Sequence, residues 1–225
     1  TPKKDLEMML EVFKNPDYRP DMIKVYPCTV IKGTELYQWL KKGEYKNYSD
    51  KELVEMLVKF KTRVPRYCRI SRLIRDIPGN HVEAGNKTTN LRQVIQAEMK
   101  RRGLKCNCLR CLEAGHQIDL NEEKTKLFID KYSASKGTEY FLSFEDKKRQ
   151  IVFAFCRLRI TKEKNALTLA PYFAYIRELH TYGQLAQISK TGEVQHTGLG
   201  KSLIAQAEKI CKKNKIKNLA VISGV

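Results

Sequence analysis

The stretch Gln195-His196-Thr197-Gly198-Leu199-Gly200 decides how the C-terminal half of this chain is interpreted. Its two glycines let the backbone come close to a ligand, because no side chain obstructs the approach. The residues that follow predict a helix from about Gly198 to Lys213, and the N-terminus of a helix offers N–H groups and a positive dipole to a pyrophosphate. The stretch therefore indicates a phosphate-binding loop, although two glycines taken alone are also typical of an ordinary loop.

The predicted helix has a strand before it and a strand after it in the sequence. A strand at residues 172–182 contains Ile176 to Thr181, and another is predicted at residues 219–222. Apolar residues at helical spacing give the helix a face that can pack on the resulting sheet. This order of strand, loop, helix and strand favours the phosphate-binding interpretation. Further strands are predicted at residues 126–132, 139–144 and 150–160.

The first half of the chain is richer in predicted helices. A helix from Thr34 is expected to end at Gly43, with Trp39 on a side that faces the core. Ser49 and Glu52 have the spacing of a capping box, so a second helix is predicted to begin there. These two helices indicate a domain with a core of its own.

A third helix is predicted to begin at Asn90, whose side chain is expected to cap it, and to end at Gly103. A cysteine-rich turn follows immediately, and after about residue 120 the pattern changes from helices to strands. We therefore expect a mixed α+β (α/β) protein with a first domain at residues 1–103, a linking turn at 104–120 and a second domain at 121–225.

Three cysteines in the turn, Cys106, Cys108 and Cys111, are followed five residues later by His116. Thiolates and imidazoles are the ligands of structural zinc, and four of them complete a tetrahedral site. The cluster predicts structural zinc, with His81 as the alternative fourth ligand. An iron–sulfur cluster on the same cysteines, or free thiols and a redox pair, stay open, because the spacing is not that of a common zinc ribbon.

The chain carries a large excess of positive charge. Its 225 residues include 43 Lys and Arg against 25 Asp and Glu, which gives a net charge of +18. Such a field attracts polyanions, so nucleic acid is the expected partner, and a basic surface without a specific ligand is the alternative. No stretch approaches the roughly 20 apolar residues of a membrane span. With seven cysteines and no signal segment, we expect a cytoplasmic protein with no membrane partner.

One stretch of the first domain contains many basic residues and no acidic residue. Residues 59–75 contain seven Lys and Arg, with Tyr67 among them, so they predict contacts with phosphates and stacking on a base. The candidates for contact with RNA are Arg69, Arg72 and Arg75, although a strand would turn Arg72 to the opposite face from the other two. Lys100, Arg101 and Arg102 extend the basic area, and their alternative role is to cap the end of a helix.

The Gln-x-x-Gly-x-Gly pattern and the order of its neighbouring elements resemble the GNAT family of N-acetyltransferases over about residues 121–225. The resemblance implies acetyl-CoA as cofactor. The strand from Glu178 to Thr181 would splay from its neighbour and bond the pantetheine arm, while residues 195–202 would surround the pyrophosphate. The residues assigned to acetyl-CoA in this way are Glu178, Leu179, His180, Thr181, Gln195, His196, Gly198, Leu199, Gly200, Lys201 and Ser202. For Lys201 the alternative is a solvated lysine in a first helical turn.

Several longer motifs match a narrower family. They are Arg72-x-x-Arg75-Asp76-Ile77-Pro78, Asn90-Leu91-Arg92, Cys106-x-Cys108-x-x-Cys111-x-Glu113-x-Gly115-His116, Glu139-Tyr140-Phe141-Leu142-Ser143-Phe144-Glu145-Asp146 and Arg177-Glu178-Leu179-His180. Together they resemble the catalytic subunit of Elongator in its archaeal or bacterial form. This resemblance runs almost from end to end of the chain.

The Elongator resemblance implies a radical S-adenosylmethionine barrel joined to a GNAT domain, which together build a carboxymethyl group from acetyl-CoA on the wobble uridine of tRNA. It identifies residues 1–103 as the C-terminal part of the barrel, 104–120 as a zinc-binding linker and 121–225 as a C-terminally incomplete GNAT domain. S-adenosylmethionine and an iron–sulfur cluster are expected in a longer parent, whose cluster cysteines would precede Thr1. The implied partners are tRNA and either a second copy of the chain or other Elongator-type subunits.

Acetyl transfer to an amine requires a base, and Glu178 and His180 are the candidates on the splayed strand. Each has an alternative role in packing or hydrogen bonding beneath the cofactor. The preferred function is that of a tRNA wobble-uridine acetyl or carboxymethyl transferase. The alternatives are a GNAT lysine acetyltransferase, whose basic protein substrate the positive surface would repel, and a non-catalytic tRNA-binding module.

Overall fold

The structure, a computed structural model, describes residues 1–75, 77–114, 125–162, 173–182 and 198–222. The chain divides into two compact units. The first comprises Thr1–Asn15 and Arg19–Cys111, and the second comprises Pro16–Tyr18 and Leu112–Val225. Both units combine helices with strands, so the expected mixed α/β class is confirmed.

Helices provide most of the regular structure of the first unit. They are α1 (Pro2–Lys14), α2 (Glu35–Lys42), α3 (Asp50–Lys61), α4 (Leu91–Arg101) and the short α5 (Leu109–Leu112), which ends one residue into the second unit. Four short strands accompany them: β1 (Met22–Lys24) pairs in parallel with β3 (Arg69–Arg72), and β2 (Val30–Ile31) pairs antiparallel with β4 (Val82–Ala84).

Local sequence signals explain where two of these helices begin. The capping box predicted for α3 is present, because the Ser49 side chain accepts from the N–H of Glu52 and the Glu52 carboxylate accepts from the N–H of Ser49. Thr34 caps α2, and Gly43 ends it with a φ of 76°, a conformation that glycine adopts without steric cost. The predicted bounds of α2 and the predicted start of α3 are confirmed to within two residues.

Three sequence-based expectations for the first unit are wrong. Trp39 is 45% exposed, because α2 buries none of its residues. Tyr67 is buried, so its ring is not available for stacking on a base. The Asn90 side chain makes no capping hydrogen bond, although α4 does begin at the next residue.

In its described residues, the second unit contains a five-stranded sheet and one long helix. The strands β5 (Lys126–Ala134), β6 (Gly137–Glu145), β7 (Val152–Thr161), β8 (Phe173–Thr181) and β9 (Leu219–Val221) lie in sequence order, with the helix α6 (Leu199–Lys213) between the last two. All neighbouring pairs are antiparallel except β8 and β9, which run parallel. A crossover through a helix is what a parallel pair requires.

The apolar face of α6 fixes the helix to one face of this sheet. Leu203 and Ala207 are fully buried against Leu142 and Leu158 of the central strands. Cys156 and Cys211 are buried in the same cluster, where they pack as small apolar residues. This packing places the N-terminus of α6 beside Thr181, the last residue of β8.

The part of the chain that the structure describes contains no helix long and apolar enough to cross a membrane.

Candidate functional site

The strands β8 and β9 stay paired over only three residues. Ala174, Tyr175 and Ile176 are opposite Leu219, Ala220 and Val221, and the last hydrogen bond runs from the N–H of Ile222 to the carbonyl of Ile176 at 2.9 Å. Within the described residues, β8 continues beyond this point to Thr181 while β9 does not accompany it. One edge of residues 178–181 is therefore unpaired among the described residues, next to the helix α6.

A β-bulge in β8 coincides with the end of this pairing. Ile176 lies opposite Leu158 of β7, but the next β7 residue, Arg157, lies opposite Glu178, so Arg177 is the additional residue. A bulge changes which side chains face each side of a sheet and bends the strand that carries it. The bulge therefore separates the part of β8 that pairs with β9 from the part that is open.

The N-terminus of α6 lies beside the open part of β8. Gly198 precedes the helix with a φ of 117°, and no side chain of the described residues caps the helix there. A Cβ atom placed on Gly200 would be 3.8 Å from the Thr181 side chain, which shows how close the strand and the helix are. Lys201 and Ser202 are exposed in the first turn. Free N–H groups, a helix dipole and a lysine make this end of α6 positive.

Three residues of the predicted loop, Gln195, His196 and Thr197, lie outside the described residues. The other residues assigned to acetyl-CoA fall into two groups that the structure brings together at the open end of the sheet. Glu178, Leu179, His180 and Thr181 belong to β8, and Gly198, Leu199, Gly200, Lys201 and Ser202 belong to the start of α6.

The two candidate bases have different surroundings. Glu178 is 41% exposed, and its carboxylate accepts a hydrogen bond of 2.8 Å from the Nε of Arg157, a residue that is almost fully buried. The imidazole of His180 packs against the rings of Phe155 and Tyr182 with centroid distances of 6.0 and 4.5 Å. A carboxylate that balances a buried guanidinium has a structural role, whereas His180 is exposed to solvent on one side.

The predicted metal ligands Cys106, Cys108 and Cys111 are brought together in the first unit, with their Sγ atoms all within 4.8 Å of one another. Three thiolates around one zinc ion would be about 3.8 Å apart, since each Zn–S bond measures about 2.3 Å. The arrangement therefore fits a tetrahedral zinc with little movement. His116 lies outside the described residues, and His81 is exposed in a short 3-10 turn and does not join the group.

Hydrogen bonding among the three thiols shifts the pKa values of Cys106 and Cys111 in opposite directions. Hydrogen bonds from Cys106 and Cys108, helped by the charge of Lys61, hold the pKa of Cys111 far below its ordinary value. Hydrogen bonding to Cys108 and burial raise the pKa of Cys106. The thiolate form is thus favoured at Cys111, and a bound cation would displace the remaining protons.

Lys61 is a contributor to this cluster that the sequence analysis did not identify. It is fully buried, and its Nζ lies 3.7 Å from the Sγ of Cys111. A signal was available, because Lys61 continues the apolar spacing of Leu53 and Leu57 along α3, where a solvated lysine would not be expected. A buried ammonium is stable only beside compensating negative charge, which thiolates supply.

The basic residues predicted to bind RNA are not equally available. Arg69 is half-buried, while Arg72 and Arg75 are exposed. Lys100 is exposed at the end of α4. Arg101 and Arg102 both bond the carboxylate of Glu98 at 2.7 Å, and Arg102 also bonds Glu55 of α3 at 2.6 Å. The last two arginines are therefore already partly neutralised.

Comparison with known proteins shows similarity over nearly the whole chain. Residues 20–101 match the Radical_SAM C-terminal domain. A tRNA uridine(34) acetyltransferase of Methanocaldococcus jannaschii is 41% identical over 98% of this chain and 42% of its own length. Elongator complex protein 3 of Schizosaccharomyces pombe is 38% identical over 99% of this chain and 42% of its own length.

A solved structure gives the same result. The archaeal Elp3 of Methanocaldococcus infernus, with an N-terminal deletion, superposes with a TM-score of 0.87 at 40% identity, over 98% of this chain and 54% of that chain. The chain spans about two fifths of the length of the curated relatives that it matches.

Proposed function

The chain belongs, over nearly its whole length, to the family of tRNA uridine(34) acetyltransferases and Elongator Elp3 proteins, and from this premise we propose that it provides the acetyl-CoA site of a tRNA-modifying acyltransferase. The observation that carries the proposal is the open edge of β8 beside the uncapped N-terminus of α6. The product of this acyltransferase would be a wobble uridine that carries a carboxymethyl group derived from acetyl-CoA.

The two elements would bind different parts of the cofactor. The backbone of Glu178 to Thr181 has an edge that β9 does not cover, and an amide-rich pantetheine arm can pair with such an edge as an added strand would. The pyrophosphate would lie at the N-terminus of α6, where N–H groups and Lys201 supply positive charge. In this arrangement the described residues bind and orient acetyl-CoA.

Removal of a proton from an attacking nucleophile would fall to His180 before Glu178. The carboxylate of Glu178 is held by Arg157, and using it as a base would leave that buried guanidinium without its charge partner. His180 has a side open to solvent and no ion pair among the described residues. An activated water that releases the acetyl group would satisfy the same geometry.

Zinc at Cys106, Cys108 and Cys111, with His116 as fourth ligand, is proposed as a structural ion. A closed site of this kind stabilises the local fold and leaves no position for substrate. The match to a radical SAM C-terminal domain implies S-adenosylmethionine and an iron–sulfur cluster for the family. Within the described residues, Cys106, Cys108 and Cys111 form the only group of metal-ligating side chains.

We propose tRNA as the polyanion that the charge of +18 attracts. Arg72 and Arg75 are its exposed candidates, together with Lys100. Arg69, Arg101 and Arg102 remain candidates whose contacts with RNA would compete with their surroundings in the protein.

Acetyl-CoA hydrolysis measured with and without tRNA tests this function. We expect the chain to bind acetyl-CoA in calorimetry and to hydrolyse it faster when tRNA is added, because tRNA is the proposed acceptor. Equal hydrolysis with and without tRNA would favour a protein lysine acetyltransferase. Binding of tRNA without any binding of acetyl-CoA would favour a non-catalytic module and overturn the proposal.

A further inference from the structure

The bulge in β8 places two consecutive charged residues on the same face of the sheet. Residues that lie directly opposite in an antiparallel pair share a face, so Glu178 lies on the face of Arg157. Arg177 bonds Glu139 of β6, which lies opposite Arg159 of β7 on that same face. Neighbours in a regular strand would point to opposite faces, and only the additional residue allows both to point the same way.

Both charges meet buried partners of opposite sign. The carboxylate of Glu139 is 3% exposed and accepts hydrogen bonds of 2.8 Å from Arg159 and from Arg177, one on each oxygen. The guanidinium of Arg157 is equally buried and donates to Glu178 at 2.8 Å. Arg157 also lies over the rings of Phe141 and Phe155, at 5.3 and 5.2 Å from their centroids. Its position is therefore fixed by π contacts as well as by charge.

These ion pairs can form only if the bulge is kept. Without the additional residue, Arg177 would lie opposite Arg157, and Glu178 would turn to the apolar face that packs on α6. Like charges placed directly opposite each other repel, and a carboxylate buried among apolar side chains is costly. The charges therefore select the bulged register over the regular one.

We propose that Glu139 and Arg157 are positioning residues for β8. They hold the bulge that opens residues 178–181 of this strand toward acetyl-CoA. This inference rests on the proposed function. Among the described residues, the last residue of β8 that pairs with β9 is Ile176, and the bulge follows it immediately. The two ion pairs thus fix the point at which the strand leaves its neighbour, and with it the register of residues 178–181 beside α6.

Glu139→Gln tests the proposal, with Glu145→Gln as its matched control. Glu145 is equally buried in the same strand, but its partners are Ser143, Arg149 of the following turn and, through Arg149, Asp130 of β5. Both substitutions remove one buried carboxylate charge, so both should lower the melting temperature. Only Glu139→Gln should weaken acetyl-CoA binding, by about tenfold or more, because misplacement of a binding strand by a fraction of an ångström is sufficient.

Hydrogen exchange in the absence of ligand provides a second measurement. Amides of residues 178–181 should exchange faster in Glu139→Gln than in Glu145→Gln, since the bulge loses an anchor. If Glu139→Gln fails to fold, Glu178→Gln removes the Arg157 pair at a half-exposed position and should weaken binding in the same direction.

The outcomes separate the inference from the function on which it rests. Wild-type protein that does not bind acetyl-CoA would overturn both. Wild-type binding with equal affinities for Glu139→Gln and Glu145→Gln, and equal exchange of residues 178–181, would overturn the positioning role alone. Loss of affinity in both variants in proportion to their melting temperatures would also overturn it, because general destabilisation would then be sufficient.

Discussion

The backbone conformation of Gly198 is important for the proposed binding of the cofactor. Its φ of 117° lies in a region that residues with a Cβ atom rarely adopt. Another residue there would force the backbone to change where the N–H groups of α6 converge. The space around Gly198 is not the constraint, since no described atom lies within 4 Å of an added Cβ.

We expect Gly198→Val to abolish acetyl-CoA binding while tRNA affinity stays nearly unchanged. Strain at such a position costs about 1–3 kcal/mol, which relaxation of the loop would relieve at the expense of the phosphate site. Isothermal titration with acetyl-CoA and filter binding with tRNA provide the two measurements.

Gly43→Val is the control for Gly198→Val. Gly43 also has a positive φ and open space around it, but it ends α2 in the first unit. This variant should lose stability and keep its affinity for acetyl-CoA. Equal loss of acetyl-CoA and tRNA binding in Gly198→Val would contradict the assignment of the phosphate loop.

At the scale of elements, the end of α4 holds its basic residues in an ion-pair network. Hydrogen bonds from Arg101 and Arg102 lower the pKa of Glu98 to about 2. The folded-state pKa is thus below the ordinary value of 4.5, so the ion pairs are complete above about pH 4.5 and are lost as the pH falls toward 2. Near neutral pH, Glu98 therefore competes with RNA phosphates for both arginines.

Glu98→Gln is expected to raise affinity for tRNA a few-fold at low salt. Loss of the Glu98 carboxylate frees the Arg101 guanidinium, while Arg102 keeps its bond to Glu55. Each added phosphate contact steepens the dependence of log K on log salt by about 0.7–0.9. Binding measured across a salt series would show both effects.

Glu7→Gln on α1 makes the same change in net charge and serves as the control for Glu98→Gln. Because the two variants have equal net charge, any difference between them is local. Identical affinities and slopes for the two variants would show that Arg101 does not contact RNA.

Sequence patterns predicted where helices begin and end more accurately than they predicted which residues are buried. The capping box of Ser49 and the glycine after α2 are local signals, so the helix ends could be predicted from neighbouring residues alone. The exposure of Trp39 could not, because periodicity shows which face is apolar and not whether another element covers it. The bulge at Arg177 leaves no trace in a period of two, since both residues at the break are charged.

In the candidate sites, too, the ligand residues could be predicted from the sequence, but the buried charges that support them could not. Glycines at 198 and 200 and the three clustered cysteines are recognisable by spacing, and the structure brings those cysteines together. The supporting charges Glu139, Arg157 and Lys61 are all buried, whereas charged residues in a sequence are expected in solvent. Only the pairing of strands and the packing of α3 show that each of these charges has a partner, which is a charged residue of a neighbouring strand for Glu139 and Arg157 and a thiol for Lys61.

At the scale of the whole molecule, the two units contain different ligand sites. The cysteines proposed to bind zinc, Cys106, Cys108 and Cys111, lie in the first unit, and β8 and α6 lie in the second. Each unit has its own buried residues, such as Leu57 and Ile95 in the first and Leu158 and Leu203 in the second. A ligand that binds only the folded form of one unit stabilises that unit by mass action.

We therefore expect acetyl-CoA and metal to protect different parts of the chain. At 100 times its dissociation constant, acetyl-CoA should stabilise the second unit by about 2.7 kcal/mol. Slower hydrogen exchange in β7 and α6, with α3 and α4 unchanged, would show this. Removal of zinc by a chelator should speed exchange in α3 and α4, and elemental analysis of freshly purified, reduced protein should find about one zinc per chain. Absence of zinc, or a chelator effect confined to the sheet of the second unit, would contradict the metal site, because Lys61 of α3 contacts Cys111.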